Sequence, residues 1–139
     1  MIVRGTAMWA SVFDGHPNSL SGKYQIDICN LEEDTVSELE ESGVTVKSDE
    51  QKGKFVTAKG KFPPKVMDSS KSTWDKDDRG VIGNGSTIKA SCRAYPWTFK
   101  GNSGMGLGLN QLMVLKHVMY EEDLEAEEME EEFEDEVAI

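Results

Sequence analysis

The feature that most constrains this chain is residues 86–120, an alternation long enough to read as two extended strands joined by a glycine-rich turn. Side chains on a strand point to opposite sides with a period of two, so each strand sorts its residues into two faces. In the first strand Ile88, Ala90, Cys92 and Ala94 make a small apolar face. The other face carries Thr87, Lys89, Ser91, Arg93, Tyr95, Trp97 and Phe99, which interleaves cations with rings. A core face does not require the cations, and a solvated face does not require the rings. A surface for single-stranded nucleic acid requires both: charge for phosphates, and ring faces on which bases stack at roughly 1–3 kcal/mol each. The same run also fits a buried strand if Pro96 marks a bulge that turns Tyr95, Trp97 and Phe99 inward. The alternation alone leaves both readings open.

The second strand of the pair contains Gly104, Gly106 and Gly108, glycines within a strand pattern that point to a bend or to the close approach of another backbone. Leu107 and Leu109 share one parity whereas Leu112, Val114 and Val118 share the other, so a bulge near Asn110 and Gln111 is expected.

A net charge of −11 argues against a nucleic-acid binder only if it is evenly spread. The last nineteen residues, 121–139, hold twelve acids and no base, and removing them from −11 leaves +1. Residues 31–43 hold six more acids and no base, which leaves about +7 on the rest. The chain therefore reads as a basic body with two acidic appendages. A single domain over residues 1–120 and a disordered acidic tail over 121–139 are expected.

Residues 2–13 read as a first strand, with Val3, Ala7, Trp9 and Phe13 in one parity and Ile2, Met8 and Val12 in the other, as in a central strand. Residues 14–19 are dense in turn formers and should be a surface loop. In the strand that follows, over residues 22–30, Tyr24, Ile26 and Ile28 are expected inward, with Lys23, Gln25 and Asp27 facing water. Leu31, Val36 and Leu39 recur at helical spacing with Gly43 as the stop, which predicts one short helix. Residues 55–62 predict a further strand, with Phe55, Thr57, Lys59 and Lys61 on one face and Val56, Ala58 and Phe62 on the other. Lys47, Lys52, Lys54 and Lys65 flank it and make the densest cation cluster in the chain, a pattern that fits phosphate contacts or a lysine-guarded sheet edge. Residues 67–80 are polar apart from Met67 and Trp74 and predict a long loop, with Trp74 either anchoring it or stacking on a base.

Enzyme motifs are not supported. Gly104, Gly106 and Gly108 lack the third glycine of a dinucleotide fingerprint, because Leu109 stands where it is needed. The run from Asp75 starts like a calcium loop, but its twelfth position is Ser86 rather than a bidentate glutamate. His16 and His117 lie in no metal-binding spacing, and Cys29 and Cys92 read as buried free thiols. No catalysis, cofactor or metal is expected. No apolar run reaches the ~18 residues of a membrane span, and no charged-then-apolar leader opens the sequence, from which a cytoplasmic protein is expected.

Ile82, Gly83, Asn84, Gly85 and Ser86 lead into a small-residue strand, followed by the segments 104–109 and 111–115. In that order they resemble the replicative single-stranded-DNA-binding proteins of short-tailed bacteriophages. The segments 8–13 and 22–26 resemble that family's first two strands, and the acidic end is similar too. The resemblance implies a mainly β protein with an OB-fold, a five-stranded Greek-key barrel. It implies a protein that coats single-stranded DNA in phage replication and recombination in the cytoplasm of the infected bacterial host. It also implies a homodimer, and an acidic tail that docks the phage DNA polymerase and helicase-primase.

On this reading Lys54, Lys59, Lys61, Lys89 and Arg93 neutralise phosphates, while Tyr95, Trp97 and Phe99, with Phe55 and Trp74, stack on bases. In the tail, Met129, Phe133 and Val137 fall at i, i+4 and i+8, the stripe of a helix induced on a partner. Members of that family end in an aromatic residue, whereas here Ile139 is terminal and Phe133 lies inside, so either could be the anchor. The tail is also expected to compete with DNA for the basic groove. An RNA-binding barrel, or an adaptor acting through its acidic tail, fits the same residues.

Overall fold

The computed structural model describes residues 1–119; the tail residues Met129, Phe133, Val137 and Ile139 lie outside them. In chain order the elements are β1 (Ile2–Ser11), β2 (Tyr24–Cys29), α1 (Glu33–Glu41), β3 (Lys47–Asp49), β4 (Gly53–Gly60), β5 (Lys65–Asp68), α2 (Lys76–Arg79), β6 (Thr87–Phe99) and β7 (Asn102–Lys116).

β1 pairs antiparallel with both β2 and β6, β2 with β4, and β6 with β7. A short parallel contact, Ala58↔Leu107 and Lys59↔Gly108, joins β4 to β7 and closes these five strands into the expected barrel. β3 extends the edge of β4, and β5 runs parallel to the far half of β7. β1 is central as expected, because both its edges are paired.

The apolar parity of each strand fills the barrel. Val3, Ala7, Ile26, Ile28, Val56, Ala58, Ile88, Ala90, Cys92 and Leu112 are buried around one core. β7 keeps its inward face along its whole length by the anticipated bulge. Ser91 pairs with Gln111 and Cys92 with Leu109, which leaves Asn110 unpaired and switches the inward parity from Leu107 and Leu109 to Leu112 and Val114. The expected helix is α1, which buries Leu39. It ends in a Schellman arrangement, with the Val44 N–H bonded to the Leu39 carbonyl at 3.0 Å, the Gly43 N–H to the Glu40 carbonyl at 2.9 Å, and Gly43 at φ +85°.

Four expectations are corrected. Residues 67–80 are not one long loop: they contain the end of β5 and the one-turn α2, whose N-cap Asp75 accepts a hydrogen bond from the Asp77 N–H. Asp27 does not face water but is buried, because Lys52 at 2.8 Å and the Thr57 hydroxyl at 2.7 Å satisfy its carboxylate. Trp9 leaves the parity of Val3 and Ala7. Between Met8↔Asp27 and Ser11↔Gln25, both Trp9 and Ala10 oppose Ile26, and this bulge turns Trp9 out to 54% exposure. Phe62 is likewise exposed rather than inward, since β4 ends at Gly60 and the alternation ends with it.

Among the described residues no helix is long and apolar enough to cross a membrane.

Candidate nucleic-acid interface

The β6–β7 hairpin carries the aromatic run. Its two-residue turn places Lys100 at φ +49° and Gly101 at φ +81°, the left-handed pair whose twist matches that of the flanking strands. The register then sets Trp97 opposite Gly104, Tyr95 opposite Gly106 and Arg93 opposite Gly108. A Cβ added at Gly104 would lie 2.8 Å from Cζ2 of Trp97, and one at Gly106 would lie 2.6 Å from Cζ of Tyr95. Gly104 and Gly106 thus admit the close approach of rings, whereas at Gly108 a Cβ would first meet the Arg93 backbone oxygen at 3.3 Å, the backbone approach that the pattern suggested. Each ring lies across the bare backbone of the facing strand. Pro96 makes no bulge, since the pairing runs through Pro96↔Met105 without a shift, and Trp97 and Phe99 are exposed. Tyr95 is half-buried.

A groove of about 530 Å³ opens where β4 leaves β7. The parallel contact ends at Lys59↔Gly108, and from Gln111 onward the edge of β7 belongs to β5. Lys23, Lys59, Lys61, Phe62, Arg93 and Tyr95 line the opening, and among the described residues no acid lines it. Four cations and two rings around one concavity can hold a phosphate chain while its bases lie against flat apolar surface. Lys59, Lys61, Arg93 and Tyr95 were expected in a nucleic-acid site, and the fold brings them together. Lys23 and Phe62 were not expected. Lys23 shares the water-facing parity of its strand with Gln25, which pairs with Lys59, so its outward parity was the available signal; the alternation puts Phe62 on the face opposite Lys59 and Lys61, and it reaches the opening because β4 ends at Gly60.

The remaining expected residues are placed elsewhere. Lys89 shares the outer face of β6 with Arg93, but lies four residues along the strand, beside Arg4 and Met113. Lys54 has the opposite parity to Lys59 and pairs with Ser48 at the β3 edge. Phe55 is half-buried with the Lys52 ammonium 4.5 Å above its ring. Phe99 stays at the hairpin tip with Lys100 beside it, 5.3 Å from the ring centroid.

Trp74 is a core residue: 6% exposed, it donates its indole N–H to the Gly80 carbonyl at 3.0 Å and meets the His117 ring edge-on at 4.8 Å. The Arg79 guanidinium covers its face at 4.0 Å and pairs with Asp68 at 2.8 Å, which holds the Asp68 carboxyl below its ordinary value. Of its two readings, Trp74 therefore takes the anchor. The hydrogen bond to Asp27 raises the Lys52 ammonium above its ordinary value. Burial pushes the Cys92 thiol up to about 12, and burial together with the Asp27 carboxylate pushes Cys29 up to about 11, so neither is a ready nucleophile. Among the described residues no three His, Cys, Asp or Glu side chains are grouped to hold a metal ion.

No protein-family model matches the sequence, and no curated protein matches it. Solved structures do match in fold. The single-stranded DNA-binding protein of bacteriophage Enc34 in complex with single-stranded DNA superimposes at a TM-score of 0.65 with 12% identity, over 86% of this chain and 86% of that one. A C-terminally truncated form of the Enc34 protein gives 0.65, at 12% identity over 85% of each chain. The single-stranded DNA-binding protein gp2.5 of bacteriophage T7 gives 0.54, at 18% identity over 86% of this chain and 87% of that one. The barrel of this chain is thus an oligonucleotide-binding fold, the fold of the phage single-stranded-DNA-binding proteins on which it superimposes.

Proposed function

We propose that the chain binds single-stranded DNA without strong sequence preference and coats it. The observation that carries this reading is the groove in which Lys23, Lys59, Lys61 and Arg93 surround Tyr95 and Phe62, continuous along β6 with the exposed rings of Trp97 and Phe99. Phosphate charge is uniform along a strand and every base has a face to stack, so such a groove reads neither sequence nor a base edge. A duplex hides those faces in its own stack. The Enc34 structure solved with single-stranded DNA, which has this fold, supports the same reading.

The biological role we propose, on the resemblance to phage single-stranded-DNA-binding proteins, is to hold template strands extended during phage replication and recombination in the cytoplasm of the infected host. The acidic tail is the part suited to docking the polymerase and helicase-primase, and to occupying the groove when DNA is absent. Deleting residues 121–139 then tightens DNA binding at low salt, with the difference shrinking as salt rises.

Titration of tryptophan fluorescence with matched single-stranded DNA, duplex DNA and RNA tests the reading. Tight binding of single-stranded DNA and weak binding of duplex is the expected result. Equal affinity for duplex refutes it, and a preference for RNA replaces it with the RNA-binding reading.

A further inference from the structure

Trp9 is a bulky residue at φ +52°, a backbone region that costs a side chain with a Cβ free energy, and it stands 54% exposed on the β1 bulge. Its backbone N–H is held by the Asn84 side-chain oxygen at 2.8 Å. The bulge sends Ala10 toward the core and Trp9 to the outer face, so the strain is spent on presenting a large ring to solvent.

The strand registers show where that ring lies. Ser11 pairs with Gln25, Gln25 with Lys59, Lys59 with Gly108 and Gly108 with Arg93. These residues form one continuous row around the outside of the barrel, and Trp9 sits at its β1 end. With strands spaced 4.7–4.9 Å apart, two steps separate β1 from Lys59, or about 10 Å. Asp27, which pairs with Met8 across β1 and β2 on this face, is neutralised by Lys52 at 2.8 Å.

We infer that Trp9 is a second stacking site for single-stranded DNA, at the opposite end of the path from the hairpin rings, so that a strand leaving the groove past Lys59 crosses β2 and lays a base on the Trp9 indole. This rests on the single-stranded-DNA reading of the groove. The path then has rings at both ends, Trp97 and Trp9, and cations between them.

The test uses the full-length protein and oligo-dT of about sixteen and about four nucleotides, the two ends of the site sizes known for such barrels. Trp9→Ala should weaken binding of the long oligonucleotide by about 5- to 150-fold and leave the short one unchanged, and Trp9→Phe should restore most of the loss. A second measurement does not depend on the alanine variant folding. In Trp97→Phe the remaining tryptophans are exposed Trp9 and buried Trp74, and the long oligonucleotide should quench its fluorescence while the short one does not. Unchanged affinity of Trp9→Ala for the long oligonucleotide, equal weakening at both lengths, or an unquenched Trp97→Phe protein that still binds would each overturn the inference and leave the groove standing. Failure of the wild-type protein to bind either length would instead remove the single-stranded-DNA reading itself.

Discussion

The Trp97 indole lies across Gly104 on the facing strand, so closely that a Cβ built at Gly104 would sit 2.8 Å from the ring. The same relationship holds between Tyr95 and Gly106 at 2.6 Å. A side chain at either glycine must push the ring off the backbone, and because Trp97 is already 42% exposed it can swing into solvent at little cost. Gly104→Ala should therefore weaken DNA binding by about 1–3 kcal/mol, the value of one stacked base, with little change in melting temperature. Fluorescence titration and thermal melts on the same samples check this.

Lys59 and Lys61 both line the groove. If each neutralises one phosphate, replacing both by Ala should flatten the dependence of log K on log salt by about 1.4, twice the ~0.7 per phosphate of a single strand. Lys54, at the β3 edge, serves as the control whose removal leaves the slope nearly unchanged. The measurement is a set of titrations from low to physiological salt.

Aromatic truncations should divide into two classes. Tyr95→Ala, Trp97→Ala and Phe99→Ala remove rings from the hairpin surface, so affinity should fall by roughly 1–3 kcal/mol per stacked ring with the melting point nearly unchanged. Trp74→Ala removes a buried indole bonded to Gly80 and should cost about 3–5 kcal/mol of stability. Unfolding of all three hairpin variants would place those rings in the core.

The buried thiols give the fold a dependence on alkaline pH. Cys29 keeps its proton to about 11 and Cys92 to about 12, whereas a thiol in the unfolded chain loses it near 9.0. Between those values the folded state binds more protons than the unfolded state, so stability falls as pH rises from 9 toward 11. Thermal melts across that range, compared with a Cys29→Ala, Cys92→Ala double variant, should show a shallower decline in the variant. At neutral pH both thiols should resist alkylation until the protein is denatured.

What the sequence determined by itself was whatever period two and local turn chemistry carry. The alternation of Ile88, Ala90 and Cys92 against Lys89, Ser91 and Arg93 named the buried face of β6, and the parity switch after Leu109 located the β7 bulge. The spacing of Leu31, Val36 and Leu39 before Gly43 marked α1 and its stop. Such patterns are local because one side chain per residue must face either the core or water. The tertiary structure alone decided which cations share a site. Lys23, Lys59 and Arg93 come from three different strand ends or faces and meet only because β4 and β7 touch at Ala58 and Lys59 and then part. Closure also decided the fate of the tryptophans: a bulge in β1 turned Trp9 out, the hairpin register laid Trp97 on a glycine, and α2 folded Trp74 inward. Those outcomes depend on strand pairings between residues far apart in the chain, and no window of neighbouring residues contains them.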